Sequence, residues 1–196
     1  DYANVELEQD PIAEGALISF GLNSRHVLSL VGGYDFARSE YNRALQAARQ
    51  TGSAFKPLVY AAALDNGFAP NSVLIDAPVV YEEQVEGQGD VEEVKKWKPG
   101  NYDTKFGGDI LFRNALIKSK NIPTIKILEK VGVNNIASYA RRLGIFSPLN
   151  LDLSLGLGSS GVTLYEITKA FSVFPNGGKK FSPIFILKVQ SAQGQT

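Results

Sequence analysis

Ser53 and Lys56, a serine and a lysine three residues apart, are the pair in this sequence best suited to covalent chemistry. A serine hydroxyl is a weak nucleophile and needs a base within hydrogen-bonding reach. Helical residues three positions apart share one face, with Cβ atoms about 5–6 Å apart, so the Lys56 amine can point back at the Ser53 oxygen. A neutral amine requires the lysine pKa to fall from about 10.4 towards about 7–8. The pair therefore predicts a serine nucleophile and a lysine base, with burial and a neighbouring cation lowering the lysine pKa.

The composition excludes or disfavours several other kinds of site. The 196 residues contain no cysteine and one histidine, His26, which rules out a thiolate zinc site or a cysteine nucleophile. Neither a G-x-S-x-G turn nor a phosphate-binding G-x-x-x-x-G-K-[ST] loop is present. Twenty basic residues balance twenty acidic ones, which argues against a broad nucleic-acid surface. We therefore expect no metal, no cofactor and no nucleic-acid partner.

The apolar spacing predicts that Ser53 opens a helix running to about Asn66. Pro57 falls in its first turn, where a missing N–H costs least, and Gly67 is a suitable stop. Apolar residues at i, i+3, i+4, i+7 and i+8 form one face; they are Phe55, Leu58, Val59, Ala62 and Ala63. The helix start would also offer N–H groups and a positive dipole end, which disfavour a protonated lysine and supply an oxyanion donor.

The other elements predict an α+β (α/β) fold, with helices flanking an antiparallel sheet. Turn residues between two apolar runs, 15–20 and 26–31, predict a β-hairpin. Thr163 and Glu166 form a capping-box pattern that opens a helix to about Phe174. Residues 76–108 are rich in charge and are predicted to be a solvated excursion, with a docking surface as the alternative interpretation. Further helices are predicted near 110–118, 122–131 and 134–143, and a strand at 184–189.

A second polar motif, Ser119-Lys120-Asn121, follows 66 residues after Ser53. S-x-x-K followed by S-D-N and K-T-G is a signature of β-lactamases and penicillin-binding proteins. Further segments accompany the two motifs in order: Val31-Gly32-Gly33, Asn42-Arg43-Ala44, Arg49 through Pro57, Trp97-Lys98-Pro99, Asn101-Tyr102, Arg113-Asn114-Ala115-Leu116, Ile122-Pro123, Leu155-Gly156, Gly158-Ser159, Thr163 and Asn176-Gly177-Gly178. Together they resemble, over nearly the whole length, the transpeptidase domain of class A bifunctional penicillin-binding proteins.

The resemblance implies a β-lactamase/transpeptidase-like serine acyl-transferase fold and a role for each matching residue. Ser53 would attack the carbonyl between the last two D-alanines of a peptidoglycan stem peptide, and Lys56 would take its proton. Ser119 would relay a proton to the leaving amine, and the Asn121 amide would hold the substrate backbone. An amine of a second stem peptide would then accept the acyl group and form the cross-link. β-Lactams would trap the nucleophile as a slow ester.

Trp97 and Tyr102 match a family segment that borders the active site, so the resemblance suggests them as cleft-lining, substrate-binding residues. Loop anchors packed in a minor core are the alternative interpretation, because aromatic side chains commonly serve packing.

Two departures from the family pattern affect the expected organisation. Lys120 stands where the motif above has aspartate, at a position that varies in the family, and no K-[ST]-G occurs anywhere. We expect residues 1–13 to be a lead-in and residues 14–196 to be the N-terminal and central part of the domain, incomplete on its C-terminal side. A companion polypeptide segment would carry K-[ST]-G, and a glycosyltransferase domain would lie upstream. The resemblance places the protein at the outer face of the cytoplasmic membrane, anchored by a segment outside this chain.

Two other functions share the first two motifs. A serine β-lactamase would hydrolyse its acyl-enzyme quickly, which requires a positioned water and base that the sequence does not reveal. A β-lactam sensor or inactive binding domain would keep the serine and lysine but would not cross-link. Deacylation rate and transfer to an amine acceptor distinguish these possibilities.

Overall fold

The computed structural model describes residues 9, 11–86 and 92–194, with backbone only at 83–86 and 92–95. Most of the lead-in predicted at 1–13 therefore lies outside the described residues. The chain divides into two compact units: one comprises residues 1–49, 143–147 and 162–196, and the other residues 50–142 and 148–161. We describe each unit separately.

The first unit contains the predicted hairpin. Strands β1 (Leu17–Phe20) and β2 (Val27–Val31) pair antiparallel. Between them, Gly21 N donates to His26 O at 2.9 Å and Arg25 N donates to Gly21 O at 2.7 Å, which closes the turn. The hairpin prediction is confirmed.

Helix α6 (Leu164–Phe171) packs on β1 and on the short helix α1 (Arg43–Gln46) in the same unit. Its N-terminus carries the predicted capping box, in which Thr163 Oγ1 accepts from Glu166 N and Thr163 N donates to the Glu166 carboxylate, both at 3.2 Å. That carboxylate also accepts from Phe146 N at 2.8 Å. The helix predicted to reach Phe174 ends three residues earlier.

The second unit is built around helix α4 (Asn121–Val131), which packs against α2 (Lys56–Asp65) and α3 (Phe112–Ile117). Helix α5 (Val133–Leu143) follows immediately, and a 3₁₀ segment, Leu153–Leu157, also lies on α4. The predicted apolar face is confirmed, since all of its residues are buried: Phe55, Leu58, Val59, Ala62 and Ala63. In the described residues, no helix combines the length and apolar character needed to cross a bilayer.

Four two-stranded sheets are present among the described residues, in agreement with an α+β fold. Besides the β1–β2 hairpin, β3 (Ala48–Gln50) pairs with β8 (Gly161–Thr163). In the second unit, β4 (Val73–Asp76) pairs antiparallel with β7 (Gly108–Leu111). Because residues 110–111 belong to β7, the helix predicted from Ile110 begins at Phe112 instead.

The solvated excursion predicted at 76–108 is not a loop over its middle part, although the described charged side chains there, Glu82 and Lys96, are exposed. Strands β5 (Tyr81–Glu86) and β6 (Glu92–Trp97) form an antiparallel pair there. The register places Glu82 opposite Lys96, and their side chains form an ion pair of 2.9 Å. Opposite charges facing each other across two strands stabilise the pairing. The register provides two such pairs, Glu82–Lys96 and Glu83–Lys95, whereas Glu86 stands opposite Glu92.

The strand predicted at 184–189 is also wrong. Only Ile184 makes a bridge, accepting from Val27 N at 3.0 Å and donating to Arg25 O at 2.8 Å. Further along, Ile186 and Leu187 are each 70% exposed. β-Branched, apolar composition favours a strand only where a neighbouring strand exists. The described residues beyond Ile184 have no strand partner, although the ring of Phe185 packs against that of Tyr165.

Candidate active site

Ser53 lies in a 3₁₀ turn, Gly52–Phe55, that leads directly into α2. The helix predicted to begin at Ser53 therefore begins at Lys56, whose backbone N–H donates to Ser53 O. Lys56 Nζ bonds Ser119 and Asn121, and no hydrogen bond joins it to Ser53 among the described residues, so the predicted approach of the amine to the Ser53 oxygen is not seen. The Ser53 side chain is exposed and makes no hydrogen bond to the described residues.

Two glycines hold this turn in place. Gly52 has a φ of 54°, in the left-handed region, and its N–H donates to Gly158 O at 3.1 Å. Gly158 also has a positive φ of 71°, and a Cβ added there would lie 2.1 Å from Gly52 O. Any side chain at position 158 would displace the turn, so the close approach requires glycine. The backbone of the candidate nucleophile is thereby fixed.

The Lys56 side chain is buried, with 1% of its surface exposed. Its Nζ donates to Ser119 O at 2.6 Å and to Asn121 Oδ1 at 2.7 Å, and it lies 3.1 Å from Ser119 Oγ. Burial lowers the pKa of Lys56 to about 8. Among the described residues, Lys56 Nζ contacts only uncharged oxygen atoms. The neighbouring cation that was predicted to help lower the pKa of Lys56 is therefore not among its contacts, and the cause of the lowered pKa is desolvation.

The contacts of Lys56 suit a proton-transfer group. A neutral amine has two N–H donors and one lone pair, and the two shorter contacts use both donors. The lone pair is then left for a hydroxyl such as that of Ser119. When protonated, the amine has three donors for the same three oxygen atoms. The arrangement therefore accommodates both protonation states without moving a side chain.

Ser119 has a φ of 50°, an uncommon left-handed conformation for a residue other than glycine. The conformation follows the end of α3, where Ser119 N donates to Leu116 O and Lys120 N donates to Ala115 O, both at 2.9 Å. It brings the carbonyl and the hydroxyl of Ser119 to the same amine. Backbone strain of this kind costs about 1–3 kcal/mol and is concentrated at functional sites.

Asn121 is the first residue of α4, and both ends of its amide are used. Its Oδ1 accepts from Lys56, while its Nδ2 donates to Gly100 O at 2.8 Å. The N-terminus of α4 is capped from a distant loop, since Asn101 Oδ1 accepts from Asn121 N at 2.9 Å and from Ile122 N at 3.4 Å. The structure thus brings Lys56, Ser119 and Asn121 together.

Lys120, between the two polar motif residues, is directed elsewhere. Its Nζ lies 2.9 Å from the Asp103 carboxylate and 3.4 Å from that of the fully buried Asp76. Its hydrogen bond to Asp103 raises the pKa of Lys120. The two lysines of the motifs are therefore in opposite environments: Lys120 is kept charged by carboxylates, and Lys56 is made easier to deprotonate by burial.

Neither Tyr102 nor Trp97 contacts the Lys56 cluster in the described residues. Tyr102 is fully exposed. Trp97 packs against Tyr81, with ring centroids 5.6 Å apart, and both line a cleft of about 570 Å³ together with residues of the 3₁₀ segment Leu153–Leu157. From this loop, Gly100 reaches Asn121 through its carbonyl, and Asn101, the neighbour of Tyr102, reaches it through its side chain. The only sequence signal for Asn101 was its place beside Tyr102 in the Asn101-Tyr102 segment that resembles the family.

The described residues contain no cluster of three or more histidine, cysteine, aspartate or glutamate side chains able to hold a metal ion. The described residues include an exposed serine, Ser53, on a turn that glycines hold in place. One turn later comes the buried amine of Lys56, whose pKa of about 8 allows both protonation states near neutral pH. A hydroxyl and an amide oxygen contact that amine. Such a set can activate a hydroxyl nucleophile and pass its proton on.

Comparison with known proteins agrees with this chemistry. The family model described as the penicillin binding protein transpeptidase domain matches residues 20–196. The chain belongs to this family. Penicillin-binding protein 1A of Pseudomonas aeruginosa is 44% identical over 190 residues, and that of Neisseria lactamica is 42% identical over 189 residues. Each alignment covers 95% of this chain, which spans 22% and 23% of the respective relatives.

Solved structures of penicillin-binding proteins share the fold. The crystal structure of penicillin-binding protein 1A from Haemophilus influenzae superimposes with a TM-score of 0.84 at 34% identity, covering 97% of this chain and 27% of that one. PonA1 from Mycobacterium tuberculosis, solved in complex with penicillin V, gives a TM-score of 0.76 at 23% identity, covering 92% of this chain and 48% of that one. Class A penicillin-binding proteins are thus the relatives that the motifs indicated.

Proposed function

We propose that this chain carries the nucleophile and base of a peptidoglycan D,D-transpeptidase, with Ser53 as the acylated residue. The observation that supports it most directly is the buried Lys56 amine, bonded to Ser119 and Asn121 and one turn after an exposed serine. Burial lowers the pKa of this amine to about 8, so an appreciable fraction is neutral near pH 7. Family membership supports the same reaction class.

In the acylation step, Ser53 Oγ attacks the carbonyl carbon between the two terminal D-alanines of a stem peptide. The Oγ–C bond forms, the C–N bond breaks, and the serine proton passes to Lys56 Nζ. Ser119 Oγ, 3.1 Å from that amine, relays a proton to the departing D-alanine amine. The Asn121 amide binds the substrate backbone. Because catalytic hydrogen bonds often tighten only when substrate binds, the unpaired Ser53 hydroxyl is compatible with this step.

In the second step, an amine of a neighbouring stem peptide attacks the Ser53 ester. The N–C bond forms and the ester C–Oγ bond breaks, and the new amide bond is the cross-link. The Lys56–Ser119 pair takes the proton that the attacking amine loses and returns one to the Ser53 oxygen. A β-lactam enters the first step in the same way, and its opened ring stays on Ser53 as a slowly hydrolysed ester. No metal or cofactor takes part in either step.

The remaining parts of the machinery are proposals about the larger protein. A companion polypeptide segment carrying K-[ST]-G would supply a cation and an oxyanion-hole N–H. A glycosyltransferase domain upstream and an anchor outside this chain would place the reaction at the outer face of the cytoplasmic membrane. The much greater length of the relatives leaves room for all three.

The test is covalent labelling of the full-length protein with a fluorescent penicillin. The parent protein and the matched control Ser138→Ala, an exposed serine on α5, should be labelled equally, whereas Ser53→Ala should not be labelled. Transfer of the acyl group from a thioester analogue of the stem peptide to an amine acceptor should occur with the parent. Fast hydrolysis of the label would indicate a β-lactamase, and labelling without transfer a sensor. Equal labelling of Ser53→Ala would refute the proposal.

A further inference from the structure

The loop residues Gly100 and Asn101 control both the backbone and the side chain of Asn121. Gly100 O accepts from Asn121 Nδ2 at 2.8 Å, which turns Asn121 Oδ1 towards Lys56 Nζ. Asn101 Oδ1 accepts from the backbone N–H of Asn121 at 2.9 Å. The loop is therefore connected to the amine of Lys56 through a single residue.

The orientation of the Asn101 amide is determined by its partners. Its oxygen faces the N–H groups of Asn121 and Ile122, which can only donate. Its nitrogen lies 2.6 Å from Asp76 Oδ1 and 2.8 Å from Lys105 O, which can only accept here. Asn101 is 5% exposed, so each of these groups would lack a water partner if the amide were absent.

Asp76 anchors this arrangement from the end of β4. Its carboxylate is 0% exposed and, besides Asn101, it accepts from Gly107 N at 3.1 Å and lies 3.4 Å from Lys120 Nζ. A buried carboxylate with three partners has little freedom to move. A continuous series of contacts thus runs from Asp76 through Asn101 and Asn121 to Lys56.

We propose that Asn101, oriented by Asp76, is a positioning residue for the acyl transfer, because it fixes Asn121 and through it the Lys56 amine. The inference rests on the proposed function of Ser53 and Lys56. Neither Asn101 nor Asp76 touches Lys56, so neither exchanges a proton with it directly. Displacing a catalytic group by about 1 Å can lower a rate by about 10²-fold, so the effect should appear in the bond-forming step.

The decisive variant is Asn101→Asp in the full-length protein. It keeps an oxygen for the N–H groups of Asn121 and Ile122 but places a carboxylate oxygen 2.6 Å from that of Asp76. Repulsion should displace the loop and, with it, Gly100 O. With a chromogenic β-lactam, the acylation rate constant at saturation should fall at least about tenfold. The apparent dissociation constant of the preceding non-covalent complex should change much less.

The double variant Asp76→Asn with Asn101→Asp separates positioning from general destabilisation. It restores one donor facing one acceptor at this contact and leaves the net charge of the cluster unchanged, so it should acylate clearly faster than Asn101→Asp. Part of the loss should remain, because the carboxylate at position 101 has no donor for Lys105 O. The matched control is Lys126→Met, since Lys126 lies on α4 and bonds Ile75 O, next to Asp76, without touching the Gly100–Asn101 loop. It should acylate at the parent rate.

The outcomes distinguish the two proposals. Absence of Ser53 labelling in the parent protein would defeat the proposed function itself. Normal labelling of the parent together with a parent-like rate for folded Asn101→Asp would overturn the positioning role alone. A double variant that acylates no faster than Asn101→Asp would overturn it as well. Loss in the single variant and recovery in the double variant would establish it.

Discussion

The pKa of the Lys56 amine is lowered by burial rather than by a neighbouring charge. With 1% of the side chain exposed and three uncharged oxygen atoms around Nζ, desolvation opposes the protonated form while the hydrogen bonds partly retain it. The outcome is a pKa of about 8, close to the pH at which a general base is most effective.

The pH dependence of acylation should follow this amine. Below about pH 7 the neutral fraction rises about tenfold per pH unit, so the acylation rate should rise in proportion and level off above about pH 8. Stopped-flow acylation of the full-length protein between pH 5.5 and 9.5 measures the profile. A rate independent of pH over this range would contradict the role of Lys56 as base.

Ser119 contributes two oxygen atoms to Lys56, and its hydroxyl can be removed without its carbonyl. In Ser119→Ala the 2.6 Å bond from Lys56 Nζ to the backbone oxygen is retained, while the proton relay is lost. Acylation should slow by about 10²-fold or more, the usual contribution of a general acid–base group. The thermal transition should shift little. Parent-like acylation by this variant would show that the hydroxyl takes no part.

At the scale of elements, the 3₁₀ turn before α2 depends on its contact with the segment that follows Leu153–Leu157. Gly52 N donates to Gly158 O, and the absence of a side chain at position 158 permits this approach. The turn is thus positioned by a residue more than a hundred positions away in sequence, and α2 begins where the turn ends.

Gly158→Ala should be strongly destabilising, because the new Cβ would lie 2.1 Å from Gly52 O at a φ of 71°. We expect the free energy of unfolding to fall by at least about 2 kcal/mol and acylation to slow. Gly108→Ala is the matched control, with a φ of 66° and no atom within 4 Å of the added Cβ. It should cost only about 1 kcal/mol for the backbone strain. Equal losses in both variants would show that the close approach is unimportant.

At the scale of the whole molecule, the burial of Lys56 makes stability depend on pH. The pKa falls from an ordinary value of 10.5 in the unfolded chain to about 8 in the folded one. Between pH 8 and pH 10.5 the unfolded state binds more protons than the folded state, so the free energy of unfolding should rise as the pH increases through this window. Below about pH 8 Lys56 is protonated in both states, and this contribution to stability is absent. Burial of this amine therefore lowers the stability of the folded protein at neutral pH.

Lys56→Met should remove that dependence. Relative to this variant, the parent protein should become more stable by on the order of 2–3 kcal/mol between pH 8 and pH 10.5. The difference between the melting temperatures of the two proteins, followed across this range, isolates Lys56 from other titrating groups. A difference that stays constant with pH would mean that Lys56 is not desolvated in the folded protein.

What the sequence could predict was local. The apolar stripe from Phe55 to Ala63, the Thr163–Glu166 capping box and the β1–β2 hairpin depend on neighbours within a few positions, and all three are confirmed. No local pattern can join residues 63 positions apart, such as Lys56 and Ser119. The proximity of Lys56, Ser119 and Asn121 was therefore predictable only from the resemblance of the motifs, in their order along the chain, to a known family.

The features that sequence reasoning missed depend on long-range partners. Asn101 is recognisable only by the N–H groups of Asn121 and Ile122 that it caps, and Gly158 only by the carbonyl it approaches. The β5–β6 hairpin was missed because its charges were taken as a sign of a loop, whereas the exposed side chains of Glu82 and Lys96 pair across two strands. The strand predicted at 184–189 is wrong because its apolar, β-branched composition favours a strand, whereas among these residues only Ile184 has a bridge partner.

The most direct test of the account is peptide mapping of the full-length protein after reaction with penicillin. We predict that the acyl adduct lies on Ser53, in the peptide that contains Thr51 through Lys56. The adduct should survive long enough to be isolated. Fragmentation that locates the adduct on any other residue, or an unmodified Ser53 in protein that has bound penicillin covalently, would contradict it.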